Sequence, residues 1–572
     1  MADVQQTRDA SDKAVAQTPS ALSDEAQNLL TARTKTDGDR TQLLQTNNSQ
    51  TDATEVGPTN PDKELNVTVM VKSKASEQEM DDTLQKITSG QMKPLTNAEF
   101  NSKFGADDQA MTRVLQFAKD HGLKAVDVDS DSGRVQLSGK AQDFNTAFKV
   151  DLKDYQGKDG GPFTSHNDNI SVPKGIGNDI DGVFGLDSRK LAEPHIIIPA
   201  PPDGPFQPNG LLTGFLPTQV ADAYNFPKES QGKGQSVAIL ELGGGLDMQD
   251  NAAYYAGHNL KAPEINVVTL NGVENKTGTA ADGEVALDSQ VIGAIAPDAK
   301  QTLIFSNNTD QGFVDAITRA TFPKDGEAEN SAISISWGAA ESSWTPDARH
   351  AMDVAFKKAA LKGISVFCAS GDSGAKDNST DGKYTTDFPS TDSWVTGTGG
   401  TKLSIDANNQ RTGEVAWNDG WLGRILTGGH LMAGGGGISA TEAVPDYQAG
   451  TKLPPNANGT GAPGRGVPDI SGTASLFAGM QIRFGGHETP VGGTSGVAPL
   501  YAALMMRVNG ALGHNVGFLN PFLYQKENAG MFHDITKGDN AGYNAGPGWD
   551  AATGLGVLDG QKFLDQLRKS GK

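Results

Sequence analysis

From about residue 213 to the C-terminus, short apolar segments rich in β-branched residues alternate with longer segments of helical periodicity. The pattern predicts strands at 236–242, 301–306, 331–336 and 364–370, and helices at 283–296, 312–320, 346–362 and 496–508. Because these strands are apolar along their whole length, they are typical of a largely parallel sheet covered by helices on both faces. Such α/β sheets bind ligands at the carboxyl ends of their strands, so the chemistry is expected there.

The sequence as a whole predicts several structural units, because 572 residues exceed what one hydrophobic core organises. Residues 1–60 are rich in Gln, Thr, Asp and Ser and are predicted to be disordered. Residues 61–190 alternate strand and helix patterns and predict a small α+β, ferredoxin-like domain. The proline-rich residues 191–212 predict an extended, protease-accessible linker in front of a domain at 213–572.

The chain is acidic, with a formal net charge of −21 at pH 7. This charge argues against nucleic-acid binding, which needs a basic surface, and it is consistent either with ordinary solubility or with service at low pH. No run of about 18 apolar residues predicts a membrane span, and residues 1–20 lack the apolar stretch of an ordinary signal peptide. The single cysteine, Cys368, lies in a predicted strand and excludes an intrachain disulfide.

A candidate nucleophile stands where a Gly-Gly-Thr turn meets an apolar helix. Ser495 follows Gly493 and Thr494 and precedes the predicted helix at 496–508. A helix N-terminus offers free backbone N–H groups and the positive end of its dipole, which suit an attacking oxygen and an oxyanion. The turn resembles the nucleophile turn of subtilisin-type serine peptidases. None of the nine histidines lies in the His-Gly-Thr helix start that such enzymes show: His121, His166, His195, His258, His350, His430, His487, His514 and His533.

Carboxylates are the alternative proton acceptors. Glu284 and Asp288 are four residues apart on one predicted helix, where they form either a solvated acidic face or a coupled pair that shares a proton. A coupled pair could serve as a base at acid pH, where an imidazole is already protonated. Asp372 follows the predicted strand at 364–370 and is either an Asx-turn residue or, when protonated, a hydrogen-bond donor to an oxyanion.

Together these segments resemble the sedolisins, or serine-carboxyl peptidases, and especially their kumamolisin-like members, from about residue 61 to the C-terminus. The resemblance rests on Glu-x-x-x-Asp at 284–288, SISWG at 334–338, SGDSG at 370–374 and GTS at 493–495, while Gly492 stands where the family usually has serine. It implies six site residues: Ser495 as nucleophile, Glu284 as general base, Asp288 as its partner, Asp372 as oxyanion donor, and Glu241 with Trp337 extending the carboxylate network.

The same resemblance implies an acid-active, secreted serine endopeptidase that acts on proteins and peptides and is made as a self-processing zymogen. Residues 61–190 would be its inhibitory prodomain, cut off in or near the linker. Two alternatives stay open, namely a catalytically inactive homologue that binds peptides or calcium, and a conventional histidine-based subtilisin. A monomer that binds neither nucleic acid nor membranes is expected.

Further candidate binding residues lie outside the proposed triad. Asp387 is interpreted either as surface charge or as a substrate contact that favours a basic side chain, and Gly435 and Gly436 as a cleft edge that a peptide backbone can approach. Near the C-terminus, aspartates and glycines could supply some of the roughly six to eight oxygens that calcium prefers. The resemblance implies one Ca²⁺ ion with these ligands: the carboxylates of Asp534 and Asp550 and the carbonyls of Ile535, Gly546 and Gly548.

Overall fold

The computed structural model describes residues 34–43, 53–158, 161–199, 212, 214–379, 381–458 and 463–571. The N-terminal part contains the strands β1 (Thr34–Asp37), β2 (Arg40–Leu43), β3 (Ala53–Pro58), β4 (Glu64–Val71), β5 (Lys124–Asp129), β6 (Arg134–Lys140), β7 (Lys153–Gly157), β8 (Gly161–Ser165), β9 (Ser171–Pro173) and β10 (Ile180–Phe184). Its helices are α1 (Glu77–Thr88), α2 (Asn97–Phe104), α3 (Asp108–Asp120) and α4 (Ala141–Phe148).

The N-terminal elements form the small α+β architecture that the sequence predicts. An antiparallel sheet has the strand order β10-β4-β6-β5. Helices α3 and α4 cover one face, where Val69, Val135, Phe144 and Phe148 are buried in a common core. The chain order of strand, helix, two strands, helix and strand is the split β-α-β arrangement of ferredoxin-like folds.

Three strands lie within the segment 1–60, for which the composition predicts disorder. β1 and β2 extend a sheet with β9, and β3 pairs with β7. β1 and β2 form a local hairpin, but β2 and β3 also pair with strands about a hundred or more residues further along the chain, so a local composition gives no sign of these backbone hydrogen bonds. Residues 1–33 and 44–52 of that segment lie outside the described residues.

The C-terminal part is the larger. Its strands are β11 (Glu193–Pro194), β12 (Ser236–Glu241), β13 (Glu264–Thr269), β14 (Lys300–Phe305), β15 (Ala332–Ile335), β16 (Trp337–Ala340), β17 (Ser365–Ala369), β18 (Asp387–Phe388), β19 (Thr396–Ile405), β20 (Arg411–Ala416), β21 (Gly437–Ile438), β22 (Gly466–Val467), β23 (Ile470–Thr473), β24 (Met480–Phe484), β25 (His487–Val491), β26 (Phe532–His533) and β27 (Val557–Leu558). Its helices are α5 (Pro217–Ala223), α6 (Met248–Gly257), α7 (Asp282–Ile295), α8 (Asp310–Thr321), α9 (Pro346–Leu361), α10 (Gly420–Leu426), α11 (Val497–Leu512), α12 (Asn520–Leu523) and α13 (Gly560–Ser570).

A central sheet organises this part in the order β13-β14-β12-β15-β17-β19-β20, with β23 also paired to β19. Every pairing in it is parallel except that of the edge strand β20. The predicted largely parallel sheet is confirmed, and each of the four strands expected from apolar runs is present within one or two residues of its predicted bounds.

Helices cover both faces of the central sheet, which explains why its strands are apolar throughout. In β12, Val237 and Ile239 join the core that contains α7 and α11, whereas Ala238 and Leu240 join the core that contains α8 and α9. Each fully buried valine, leucine or isoleucine contributes roughly 1.5–3 kcal/mol to the stability of the fold. Of the described helices, none combines the length and apolarity that crossing a membrane requires.

The carboxyl edge of this sheet collects the candidate site residues. Glu241 ends β12, Ser336 and Trp337 follow β15, and Asp372 follows β17. Helices α7 and α11 begin at the same edge, so their first turns bring Glu284 and Ser495 to it. The fold therefore positions the site where parallel α/β sheets bind their ligands.

The N-terminal part packs on the outer helices α8 and α9. Asp315 of α8 is fully buried, and it accepts hydrogen bonds from Arg134 (2.6 Å) and from the Thr68 hydroxyl (3.0 Å) of the N-terminal sheet. Lys358 of α9 donates to the Ser132 carbonyl at 2.7 Å. A charge pair this deeply buried is costly to break, so it holds the two parts in one arrangement.

Candidate active site

Ser495 lies in a tight turn at the N-terminus of α11. Gly493 has φ of 110°, a conformation that favours glycine, and a Cβ at this position would stand 2.1 Å from the His195 carbonyl oxygen. Ser495 is fully buried; its backbone N–H donates to the His195 carbonyl (3.0 Å), and its hydroxyl donates to the Ser336 carbonyl (3.2 Å). The turn therefore directs the backbone N–H of Ser495 to the His195 carbonyl, while its hydroxyl is held by the Ser336 carbonyl.

Three carboxylates are buried beside this serine. Glu284 and Asp288, one turn apart on α7, are fully buried together with Glu241, which excludes a solvated acidic face. Asp288 accepts a hydrogen bond from the Ser336 hydroxyl at 2.9 Å, and Glu241 accepts one from the Trp337 indole at 3.2 Å. The side chains thus form one network beneath the turn.

Burial raises the pKa of all three carboxyl groups well above the ordinary range. For Glu284 the charges of Asp288 and Glu241 raise the pKa further, while the Ser495 hydroxyl is close enough to lower it. For Glu241 the neighbouring Asp288 adds to the effect of burial, and for Asp288 the Ser336 hydrogen bond opposes it. Groups this close share protons and titrate together, so the network can hold and release a proton beside Ser495.

Glu284 is placed to receive that proton. Neither of its carboxylate oxygens has a hydrogen-bond partner of ordinary geometry among the described residues. The Ser495 hydroxyl, which donates to the Ser336 carbonyl, lies close enough to this carboxylate to affect its pKa. A buried acceptor without a fixed partner is expensive to maintain, which is typical of a functional site.

Asp372 is held by Thr494, the residue before Ser495. Its Oδ1 accepts from the backbone N–H and the hydroxyl of Thr494, both at 2.8 Å, and its Oδ2 has no hydrogen-bond partner among the described residues. A Cβ on Gly493 would lie 2.6 Å from this Oδ2, so the oxygen borders the position of the His195 carbonyl. Burial raises the pKa of Asp372 to about 6, against the lowering effect of His195 and the Thr494 bonds.

A segment of the predicted linker runs through the site. Glu193 and Pro194 form β11, which pairs antiparallel with β16, and Ile197 exchanges backbone hydrogen bonds of 2.8 and 2.9 Å with Gly492. Residues 193–198 are therefore extended, as predicted, but are held in the cleft instead of being exposed. The proline content gave no sign of this partner, and residues 200–211 of the linker lie outside the described residues.

The side chain of His195 fills a pocket that ends in carboxylates. Its Nε2 lies 2.9 Å from Oδ2 of Asp387, which is fully buried, so the interpretation of Asp387 as surface charge is wrong. Gly338 leaves room for this carboxylate, because a Cβ there would stand 2.1 Å from Asp387 Oδ1. His195 thus directs only its backbone carbonyl to Ser495, and its imidazole lies away from the serine hydroxyl.

Asp377 is a second carboxyl group in this pocket, and sequence reasoning missed it. The carboxyl groups of Asp377 and Asp387 are close enough for each to affect the pKa of the other, and burial raises the pKa of both. Asp377 has a left-handed backbone (φ 42°) in a short irregular segment. No pattern in the sequence marks such a position, because its partner lies ten residues away across a loop.

The glycines expected at the cleft edge lie behind it. Gly435 donates to the Gly371 carbonyl at 2.7 Å, and a Cβ there would stand 1.8 Å from the Ser370 carbonyl oxygen. Gly436 packs against the Ala551 carbonyl in the same way. Gly435 supports the strand end that precedes Asp372, and neither glycine is among the residues that line the cleft around 193–198.

The predicted calcium ligands also come together in the structure. Asp534 accepts from the Gly548 N–H and Asp550 from the Gly546 N–H, both at 3.0 Å, so the two carboxylates hold one loop from opposite ends. Asp550 is buried, which raises its pKa. A donor set of carboxylates and backbone carbonyls is all oxygen, and the loop backbone is open enough to wrap an ion, so these residues fit calcium.

Comparisons with known proteins identify the family. Residues 51–189 match the activation domain of pro-kumamolisin. The chain is 39% identical over 533 residues to kumamolisin of Bacillus sp. (strain MN-32), which covers 91% of this chain and 94% of that protein. The chain belongs to the sedolisin family. It is also 28% identical over 503 residues to sedolisin of Pseudomonas sp. (strain 101), covering 83% of this chain and 82% of that protein.

A solved structure agrees with this membership. Pseudomonas sedolisin, a serine-carboxyl proteinase solved with two molecules of pseudo-iodotyrostatin, superposes with a TM-score of 0.56 at 26% identity, over 64% of this chain and all of that one. The sedolisin-family chain described here is therefore a serine-type peptidase that carries an activation domain.

Proposed function

We propose that this chain is the precursor of a serine-carboxyl endopeptidase in which Ser495 is the nucleophile and Glu284 the general base. The observation that carries the proposal is the position of Ser495: its backbone N–H donates to the His195 carbonyl, its hydroxyl lies beside the buried Glu284 carboxylate, and the half-buried Asp372 lies near the same turn. An inactive binding homologue would not need an unpartnered buried carboxylate on each side of its serine. Replacement of Glu284, described in the Discussion, tests the proposal.

The chemistry follows from these positions. Ser495 Oγ attacks the substrate carbonyl while its proton passes to Glu284, and Asp288, held by Ser336, spreads the negative charge of the network. The backbone N–H of Ser495 and a protonated Asp372 donate hydrogen bonds to the oxyanion. When the C–N bond breaks, Glu284 returns the proton to the leaving amine. The acyl group stays bonded to Ser495 Oγ as an ester, the acyl-enzyme.

Hydrolysis of the acyl-enzyme uses the same groups in reverse. A water molecule attacks the ester carbonyl and gives a proton to Glu284, and the oxyanion forms again between Asp372 and the Ser495 N–H. Collapse of this intermediate breaks the ester bond, releases the carboxylic acid and restores the Ser495 hydroxyl with the proton held by Glu284. The burial of Ser495, Glu284 and Asp288 excludes bulk water from the proton path.

Self-processing is proposed to begin in the linker. The carbonyl on Ser495 belongs to His195, so the bond presented for cleavage is His195–Ile196. Cleavage there would separate the activation domain, with the predicted boundaries 61–190, from the catalytic part. Before cleavage, residues 193–198 block the cleft and act as an intramolecular inhibitor. Secretion and a monomeric state stay predictions from the resemblance.

Asp387 is proposed to select a basic residue on the amino side of the cleaved bond, as it does for His195. Asp387→Asn should lower the preference for arginine over leucine at that position by roughly 10–100-fold, because a charged hydrogen bond contributes about 1.5–3 kcal/mol. The measurement is the ratio of kcat/KM for two peptides that differ only there. Asp381→Asn, an exposed neighbour paired with Lys383, is the matched control; an unchanged ratio in Asp387→Asn contradicts the assignment.

One Ca²⁺ ion is proposed for the loop between Asp534 and Asp550, where it would tie two ends of the C-terminal segment together. Calcium at a hundred times its Kd should stabilise the protein by about 2.7 kcal/mol, which raises the Tm of a chain of this length by roughly 2–4 °C. Asp550→Asn should abolish the calcium-dependent rise, whereas Asp565→Asn on α13 should keep it. A Tm that is independent of calcium in the parent protein would refute the site.

A further inference from the structure

Five polar side chains meet where the activation domain packs on the catalytic part; they are called the junction cluster here. Glu77 and Asp81 lie on α1 of the activation domain, and His350, Asp353 and Lys357 lie on α9 of the catalytic part. Beyond them the same two helices pack through apolar side chains that include Met80, Leu84 and Leu361. The cluster therefore occupies the polar end of a helix pair that closes only in the precursor.

Three members of the cluster are arranged as metal ligands are. Nε2 of His350 is 3.6 Å from Oε1 of Glu77, and one ligand atom each from Glu77, His350 and Asp353 fall within 4.8 Å of one another. Two ligands on a tetrahedral zinc ion with bonds of about 2.0–2.1 Å are roughly 3.4 Å apart. His350 and Asp353 are neighbours on one helix face, three residues apart, so small rotations of side chains would close the site.

The charge of the cluster favours a cation. Lys357 lies 2.9 Å from Asp81 and 5.3 Å from the centre of the Trp394 ring, but 3.8 Å from Asp353 and 3.9 Å from Glu77. Its strongest contact is thus with Asp81. With ionised carboxylates and a neutral imidazole, three negative charges and one positive charge leave the cluster at −2. A divalent ion would match this charge.

We propose that Glu77, His350 and Asp353 bind a divalent transition-metal ion, Zn²⁺ being the best match, across the junction of the activation domain and the catalytic part. A set of one imidazole nitrogen and two carboxylates suits zinc, cobalt or nickel, whereas calcium and magnesium prefer oxygen alone. One ligand comes from the activation domain and two from the catalytic part. By linkage, an ion that binds the closed junction better than its separated parts stabilises the precursor.

Binding is measured first, in a precursor that cannot cut itself. Ser495→Ala precursor, stripped with a chelator and titrated with Zn²⁺ by calorimetry at neutral pH, should bind one ion at this site. Glu77→Gln and His350→Gln should each weaken binding at least about tenfold. Asp82→Asn, an exposed carboxylate on the same helix bonded to Gln78, is the matched control and should bind as the parent does. Affinity unchanged in both ligand variants overturns the site.

The consequence for processing is a separate measurement, and only this part rests on the proposed function. Release of the activation domain from the active precursor should slow when Zn²⁺ is present, and Glu77→Gln should remove that effect while processing at the parent rate without metal. Equal slowing in Glu77→Gln would place the inhibitory ion elsewhere and overturn the regulatory role. Because the titration uses Ser495→Ala, failure of the proposed catalytic mechanism would leave the binding result readable.

Discussion

Glu284→Gln should lower kcat/KM by at least about 10³-fold, because it removes the group that accepts the Ser495 proton. Glutamine has nearly the same shape and remains buried on α7, so the fold and peptide affinity should persist. The Glu284 oxygens carry no other hydrogen bond among the described residues, and no structural contact is lost with them. The measurement is the initial rate of peptide cleavage from pH 2 to 8, with every precursor, parent and variant alike, first cleaved in trans by active parent enzyme that is then removed.

Two companions make this result decisive. Ser495→Ala should be as inactive as Glu284→Gln, and the double variant should be no worse than either, since residues that act as one unit are not additive. Glu274→Gln, an exposed glutamate ahead of α7, is the control and should cleave at the parent rate. Activity of Glu284→Gln that peaks near neutral pH would favour a histidine-based mechanism. A parent protein that is folded but inactive at every pH would favour the binding homologue.

Features that depend on local sequence patterns could be predicted from the sequence, whereas features that depend on distant segments could not. The strands around Ile239 and Phe367 were predictable because a strand that is buried on both faces of a parallel sheet is a continuous apolar run in the sequence. Glu284 and Asp288 were identifiable as a pair by helical spacing, but their complete burial depends on helices and strands that lie elsewhere in the chain. Spacing alone could not decide between a solvated face and a buried network.

The features that the sequence did not predict depend on contacts across long separations. The contact between His195 and Asp387 joins residues almost two hundred positions apart. It can be identified only from the structure, in which β11 pairs with β16. The burial of Asp377 depends on the same pocket, and β2 and β3 pair with distant strands of the activation domain. Each is a case in which tertiary contacts, and no local propensity, decide the conformation.

The largest expected effect after loss of the base concerns Asp372. Asp372→Ala should lower kcat/KM by about 10²–10³-fold, the usual cost of one oxyanion donor. Asp372→Asn should retain most of the activity at acid pH. Its amide oxygen can accept from Thr494 as Oδ1 of Asp372 does, which turns the amide N–H₂ toward the position of the unpartnered Oδ2 beside the substrate carbonyl.

The pH profile distinguishes the two roles of this carboxyl group. The raised pKa of about 6 keeps Asp372 protonated below pH 6, where it donates to the oxyanion, and ionises it above, where its charge repels the oxyanion. Parent activity should therefore fall about tenfold per pH unit above a midpoint near pH 6. Asp372→Asn cannot ionise and should lose this decline, unless the network around Glu284 limits activity at the same pH. If Asp372→Asn is as inactive as Asp372→Ala while its fold is intact, then Asp372 works as a charge or as a proton carrier, and the oxyanion must depend on the Ser495 N–H alone.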